Sequence, residues 1–182
     1  MSNLKDRMIR AAKLDASLYE EVETDPEAMR QAIKVVVLSS VAAGIGTITR
    51  GGFAGVIPSI LLGTIFALIG WFVWAWLTYF IGTKLLSEAQ TKADLGELLR
   101  TIGFSSSPGL IRVLGVIPIP GLTGLVFFVA SIWMLIAMVI AVKQALDFES
   151  TFRASGVVLI GAIVQGLILA LLFSILGGPA TA

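Results

Sequence analysis

The chain has 182 residues, 57% of them hydrophobic and 14% charged, with a net charge of +1 and a mean hydropathy of +0.94. That is more apolar surface than one water-soluble core of this length can hide, so the bilayer must act as solvent. Cysteine and histidine are both absent, which removes disulfides, thiol nucleophiles, imidazole bases and the usual zinc or haem ligands.

The first 30 residues hold no apolar run of signal-peptide length, so the first spanning helix is expected to serve as an uncleaved anchor. Residues 3–14 read as a short basic amphipathic helix, with Leu4, Met8 and Ala11 near one face. Lys5, Arg10 and Lys13 are then available for anionic headgroups, which predicts a helix lying on the membrane surface. The plainer reading is a solvated terminus with a weak apolar side. Residues 15–25 reverse the sign with Asp15, Glu20, Glu21, Glu23 and Asp25, a run that anionic headgroups would repel. It is expected to face the cytoplasm as a solvated stretch or a contact for a protein partner.

Asp25, Pro26 and Glu27 make a helix start, since the first can cap, the second fits the first turn and the third complements the dipole. The expected spans are about 31–49, 57–81, 104–118, 122–142 and 155–176, which divides the chain into a cytoplasmic arm, 1–24, and a membrane domain, 25–178. Ser40 and Gly44 in the first span, and Ala162, Gly166 and Ala170 in the last, are small residues at helical spacing and are candidate helix-packing positions. Trp71, Trp74, Trp76, Tyr79 and Phe80 crowd the second half of the second span, as an interfacial aromatic belt does. The predicted fold class is therefore all-α: a multi-pass, five-span bundle with amphipathic surface helices.

Residues 94–121 break this regularity. Leu95, Leu98, Leu99 and Ile102 recur at helical spacing opposite Asp94, Glu97 and Arg100, predicting a short surface helix. Gly103 to Pro108 interrupts it, and a second apolar run carrying Arg112 ends at Pro118 and Pro120. Counting this irregular third span as a crossing places eleven of the thirteen Lys and Arg residues on the side of the amino terminus. The expectation is an inner-membrane protein with its amino terminus in the cytoplasm and its carboxyl terminus outside. A re-entrant third segment would leave four spans and put Lys143 and Arg153 outside.

No catalytic, cofactor or metal constellation is legible, because the spans lack central carboxylates and no nucleophile has a base at helical spacing. Nothing points to nucleic acid. Arg112 is the one intramembrane charge, and a cation at bilayer depth costs about 2.5–3.5 kcal/mol on insertion scales. Two readings stay open. It can snorkel to the outer interface, or bind a lipid phosphate or acidic group inside the bundle where the break gives access.

Several features together resemble prokaryotic members of the Yip family, five-span proteins named in eukaryotes for interacting with Ypt/Rab GTPases. They are Leu18-Tyr19 in the acidic segment, Asp25-Pro26 before the first span, Gly103-Phe104 with Pro108 entering the third, and the loop from Val142 to Leu146 before the span with Arg153. The resemblance implies a cytoplasmic amino terminus and links to vesicle traffic, GTPase recruitment and membrane shaping. Where the eukaryotic proteins carry an Asp-Leu-Tyr-Gly-Pro type motif, this chain has Ser17-Leu18-Tyr19-Glu20-Glu21, so Rab binding does not carry over. The combined expectation is a non-enzymatic membrane protein that organises lipids, including anionic ones, or recruits protein partners, as a homo-oligomer. The alternative is a small transporter or channel using the broken third span and Arg112. Candidate lipid or partner contacts are Arg112, Phe104, Pro108, Leu18, Tyr19, Glu20 and Glu21.

Overall fold

The structure is a computed structural model that describes residues 3–48 and 56–176. The tight connection expected at 50–52 and the small-residue tail at 177–182 lie outside the described residues. Among those described, the chain is all-helical. It runs α1 (Leu4–Ala12), α2 (Ala16–Thr24), α3 (Ala28–Gly46), α4 (Val56–Phe80) with a π turn at Ile81–Leu85, α5 (Leu95–Phe104), a 3₁₀ run (Ser107–Val116), α6 (Leu122–Ala145) and α7 (Thr151–Leu176).

Side chains fix most of the starts. Asn3 and Asp15 accept backbone N–H bonds from Lys5 and Ser17 to cap α1 and α2. Asp25 accepts from the Glu27 N–H at 3.0 Å, one step before α3 begins. Asp94 and Glu97 form a reciprocal capping box on α5. Gly121, with φ +81°, turns the chain into α6 in a conformation that side chains resist.

Four helices are long and apolar enough to cross a bilayer: Ala28–Gly46, Ile60–Leu85, Leu122–Ala145 and Thr151–Ile168. Between the second and third of these, α5 and the 3₁₀ run carry the chain from one end of the bundle to the other. At one end, Arg100 of α5 reaches the arm, and Gln144 of α6 donates to Glu20 at 2.7 Å. The loops leading into α5 and α7 gather here too, with the Glu149 N–H donating to Glu88 at 2.9 Å and Arg153 donating to the Ser87 carbonyl at 3.1 Å. At the other end, Thr123 of α6 donates to the Gly115 carbonyl at 3.0 Å. The segment therefore traverses the bundle and does not double back.

What holds this irregular passage in place is its seam with α3. Gly103 lies against Ala32, Gly109 against Ser39, and Gly115 against Gly46, so closely that an added Cβ would stand 2.7, 2.2 and 2.7 Å from those residues' atoms. Small residues seven apart on α3 thus meet glycines six apart on the partner. Within the 3₁₀ run, the six residues from Gly109 to Gly115 are two turns, matching the roughly two α-helical turns from Ser39 to Gly46, so the two stay in step there.

The arm is packed onto the bundle. Leu18, Tyr19 and Val22 of α2 are fully buried and share one apolar cluster with Ala28, Ala32, Val35 and Phe104. The acidic stretch is a helix with one buried face, and α1 and α2 roof the bundle end. α5 is likewise interior: Leu98, Ile102 and Arg100 are all buried under α2 and against α4, α6 and α7.

Candidate functional site

Two places gather polar groups. The first is the roof, where three arginines clasp the arm. Arg7, buried despite its charge, donates to Glu21 at 2.9 Å, to Gln31 at 3.2 Å and to Asp25 at 2.7 Å, joining α1 to α2 and α3. Arg10 donates to Asp15 at 2.8 Å and to Glu21. Arg10 is therefore engaged within the arm and is not held free for headgroups. Arg100 donates to the backbone carbonyls of Val22 and Glu23, which explains why a charged residue is buried on α5. The hydrogen bond from Arg7 holds the Asp25 carboxyl below its ordinary range.

Glu23 sits differently in this roof. Its Oε2 is buried without a protein partner, in a polar cleft of about 370 Å³ that Glu20, Lys143, Gln144 and Asp147 also line. Burial first, then the charges of Asp147, Glu97 and Glu20, push its carboxyl up to about 7 from 4.5, against an opposing pull from Arg100. An acid raised in the docked arm binds its proton there more tightly than when released. Its contribution to docking is present below the released value and is lost as pH rises through about 7. Hydrogen exchange over residues 4–24 is expected to be faster at pH 8 than at pH 6 after correction for intrinsic rate, and Glu23→Gln to flatten that difference. Equal corrected protection at both pH values in the native chain would refute the assignment.

The second place is inside the bundle. A cavity of about 230 Å³ is lined by residues of α3, α4, the broken passage, α6 and α7, among them Ser39, Trp74, Ser106, Arg112, Met134 and Gln165. Arg112 donates from Nη2 to Ser131 at 3.2 Å, and its guanidinium carbon is 5.5 Å from the centroid of the Phe127 ring. Ser131 is nine residues into α6, roughly 13 Å along the helix from its start. The Nη2 end therefore meets an exposed hydroxyl about a third of the way along α6. Its Nε is buried with no protein acceptor, as is Trp74 Nε1, and the Gln165 carbonyl oxygen is buried with no protein donor.

The other expected site residues scatter. Leu18, Tyr19, Phe104 and Pro108 are interior and present no side chain to a partner in this conformation, while Glu20 is exposed and Glu21 is paired with Arg7 and Arg10. Ser40 and Gly44 do pack: Ser40 hydrogen-bonds Thr64 at 2.9 Å, and Gly44 lies against Ile60. Ala162, Gly166 and Ala170 face outward, with nothing within 4 Å of a Cβ added at Gly166. α7 turns a neighbouring stripe, Ala154, Val157 and Gly161, inward instead. Trp71 and Trp74 are half-buried against neighbouring helices. The Trp71 indole donates to the Leu99 carbonyl at 3.1 Å and Trp74 lines the cavity, while Trp76 and Phe80 stack on the outer surface at 5.9 Å.

A roofed bundle of apolar helices with one non-α passage is the geometry against which the comparisons stand. The sequence model of one family, the Yip1 domain, matches residues 16–178. The chain belongs to the Yip1 domain family. No curated protein and no solved structure matches it. The Yip1 match begins at α2, so it takes in the roof residues Leu18 to Asp25 as well as every described helix after them. Within this Yip1 domain, the cavity residues missed by sequence reasoning are Ser39, Trp74, Ser106 and Gln165. The one signal for them was polarity at bilayer depth, which single hydroxyls and indoles give weakly because their own helix backbone often satisfies them.

Proposed function

We propose that this Yip1-domain protein is a non-catalytic organiser of membrane lipid, crossing the inner membrane five times with its roofed end in the cytoplasm and its carboxyl end outside. The observation that carries this reading is the open, mainly apolar cavity between the helices in which a few polar groups gather beside the 3₁₀ passage. A second feature supports it. Between α1 and the 3₁₀ run lies an apolar groove of about 480 Å³, walled by Leu4, Met8, Ile9, Leu110, Ile111 and Trp133 with Lys5 at its rim. An acyl chain with an anionic headgroup suits that combination. Recruitment of protein partners would use the exposed acids of the roof, Glu20 and Asp147, and homo-oligomers would use the outward stripe on α7.

The test is the lipid content of the protein extracted in mild detergent, set against that of the membrane it came from. Enrichment of at least one lipid class by about threefold is expected, whereas a composition equal to the host membrane would sink the reading. Transport is the second reading, favoured by the hydroxyl and amide groups in the cavity. Solute flux in proteoliposomes that Gln165→Leu abolishes would promote it.

A further inference from the structure

Among the described residues, Arg112 has no carboxylate counter-ion. All twelve acidic residues lie at positions 6–27, 88–97, 147 and 149, and none occurs between 28 and 87, between 98 and 146, or after 149. The structure gathers these acids at the roof, where they meet Arg7, Arg10 and Arg153. Arg112 has instead one serine hydroxyl and an aromatic face. A half-buried guanidinium satisfied only to that extent is short of acceptors, since it can donate five hydrogen bonds and accept none.

Its surroundings narrow the missing partner. Arg112 Nε and Trp74 Nε1 are both donor-only, both buried and both without an acceptor, and the two side chains line the same cavity. Ser39 and Ser106 add hydroxyls to the wall, and Gln165 adds an amide that can turn either end inward. The wall is otherwise apolar, with Met134, Met138 and Ile102. A cavity of about 230 Å³ holds a phosphate- or carboxylate-sized group and not a whole lipid, so the rest of a lipid ligand would lie outside the cavity. We propose that Arg112 and Trp74 form an oxyanion site inside the bundle, for the phosphate or carboxylate group of a lipid headgroup or of a free anion. The site rests on the lipid-organising reading above and names its ligand chemistry.

The test uses the full chain in mild detergent, after exchange to remove bound lipid, with tryptophan fluorescence as the readout. The probes are dihexanoyl phosphatidic acid, dihexanoyl phosphatidylcholine and inorganic phosphate. Saturable binding of the phosphatidic acid is expected, weakened at least about tenfold in Arg112→Gln and less in Arg112→Lys, which keeps the charge but not the fork. Binding of the phosphatidic acid without inorganic phosphate identifies a headgroup as the source, and binding of both identifies the anion itself. Unchanged binding in Arg112→Gln, a wild-type response no stronger than that to phosphatidylcholine, or no response to any probe overturns the site. A folded Arg112→Lys protein with wild-type Tm separates loss of binding from loss of fold. If Arg112→Gln keeps the lipid enrichment of the native chain, the site falls and the lipid-organising reading stands. If phosphate binds through Arg112 while the native lipid content matches the host membrane, the reverse holds.

Discussion

Gly46→Ala is expected to destabilise the bundle by at least about 2 kcal/mol, because the added methyl has no room and its obstacle cannot move alone. The Cβ would stand 2.0 Å from the Arg112 carbonyl oxygen and 3.0 Å from Phe127 Cε2. The first of these is backbone, so relief means lifting the whole 3₁₀ run off α3. The site of strain is also the residue whose guanidinium enters the cavity, so stability and binding should fall together. Gly166→Ala is the matched control, since nothing lies within 4 Å of its Cβ and alanine is the better helix former. Thermal unfolding in one detergent reads both substitutions. Equal Tm values for Gly46→Ala and the native chain would show that the seam is looser than described.

Arg7→Ala is expected to release the arm, weakening its docking by about 2–4 kcal/mol. The guanidinium holds Glu21, Gln31 and Asp25 at once, linking α1 to two other helices, and is itself almost wholly buried. Its carboxylate partners are about one-third exposed, so water recovers part of the loss, and Arg10 still reaches Glu21. Arg7→Lys should recover only a fraction, because a point charge cannot address three acceptors in a plane. Proteolysis at residues 4–24 with the membrane helices left intact is the expected signature. A variant as resistant as the native chain would mean that the apolar face of α2 alone holds the roof.

How far the sequence carried these conclusions depended on where each signal's partner lies. The four long helices were legible because hydropathy needs no partner, and the Asp94 and Glu97 box because its partners are three residues apart. The burial of α2 was not legible, because an apolar face looks the same whether lipid or a helix bundle covers it. Arg100 was assigned to a solvated face because its acceptors lie 77 and 78 residues away in the chain. The aromatic crowd in α4 hid two half-buried tryptophans among surface ones. The stripe at Ala162, Gly166 and Ala170 was chosen by spacing alone, and the neighbouring stripe proved to be the inner one. The Gly103, Gly109 and Gly115 repeat was present throughout, but a spacing of six does not keep to one face of an α-helix, so the 3₁₀ passage stayed an unspecified irregularity.

That passage also makes the direction of Arg112 a matter of helix type. A 3₁₀ helix advances about 120° per residue and an α-helix about 100°, so over the six residues from Ser106 to Arg112 the two conformations differ by roughly 120°. Rewinding the ten residues of the run as an α-helix would swing the guanidinium a third of a revolution and shorten the segment by roughly 5 Å. The glycine seam with α3 fits only the longer, tighter winding, and thereby locks the cation's heading.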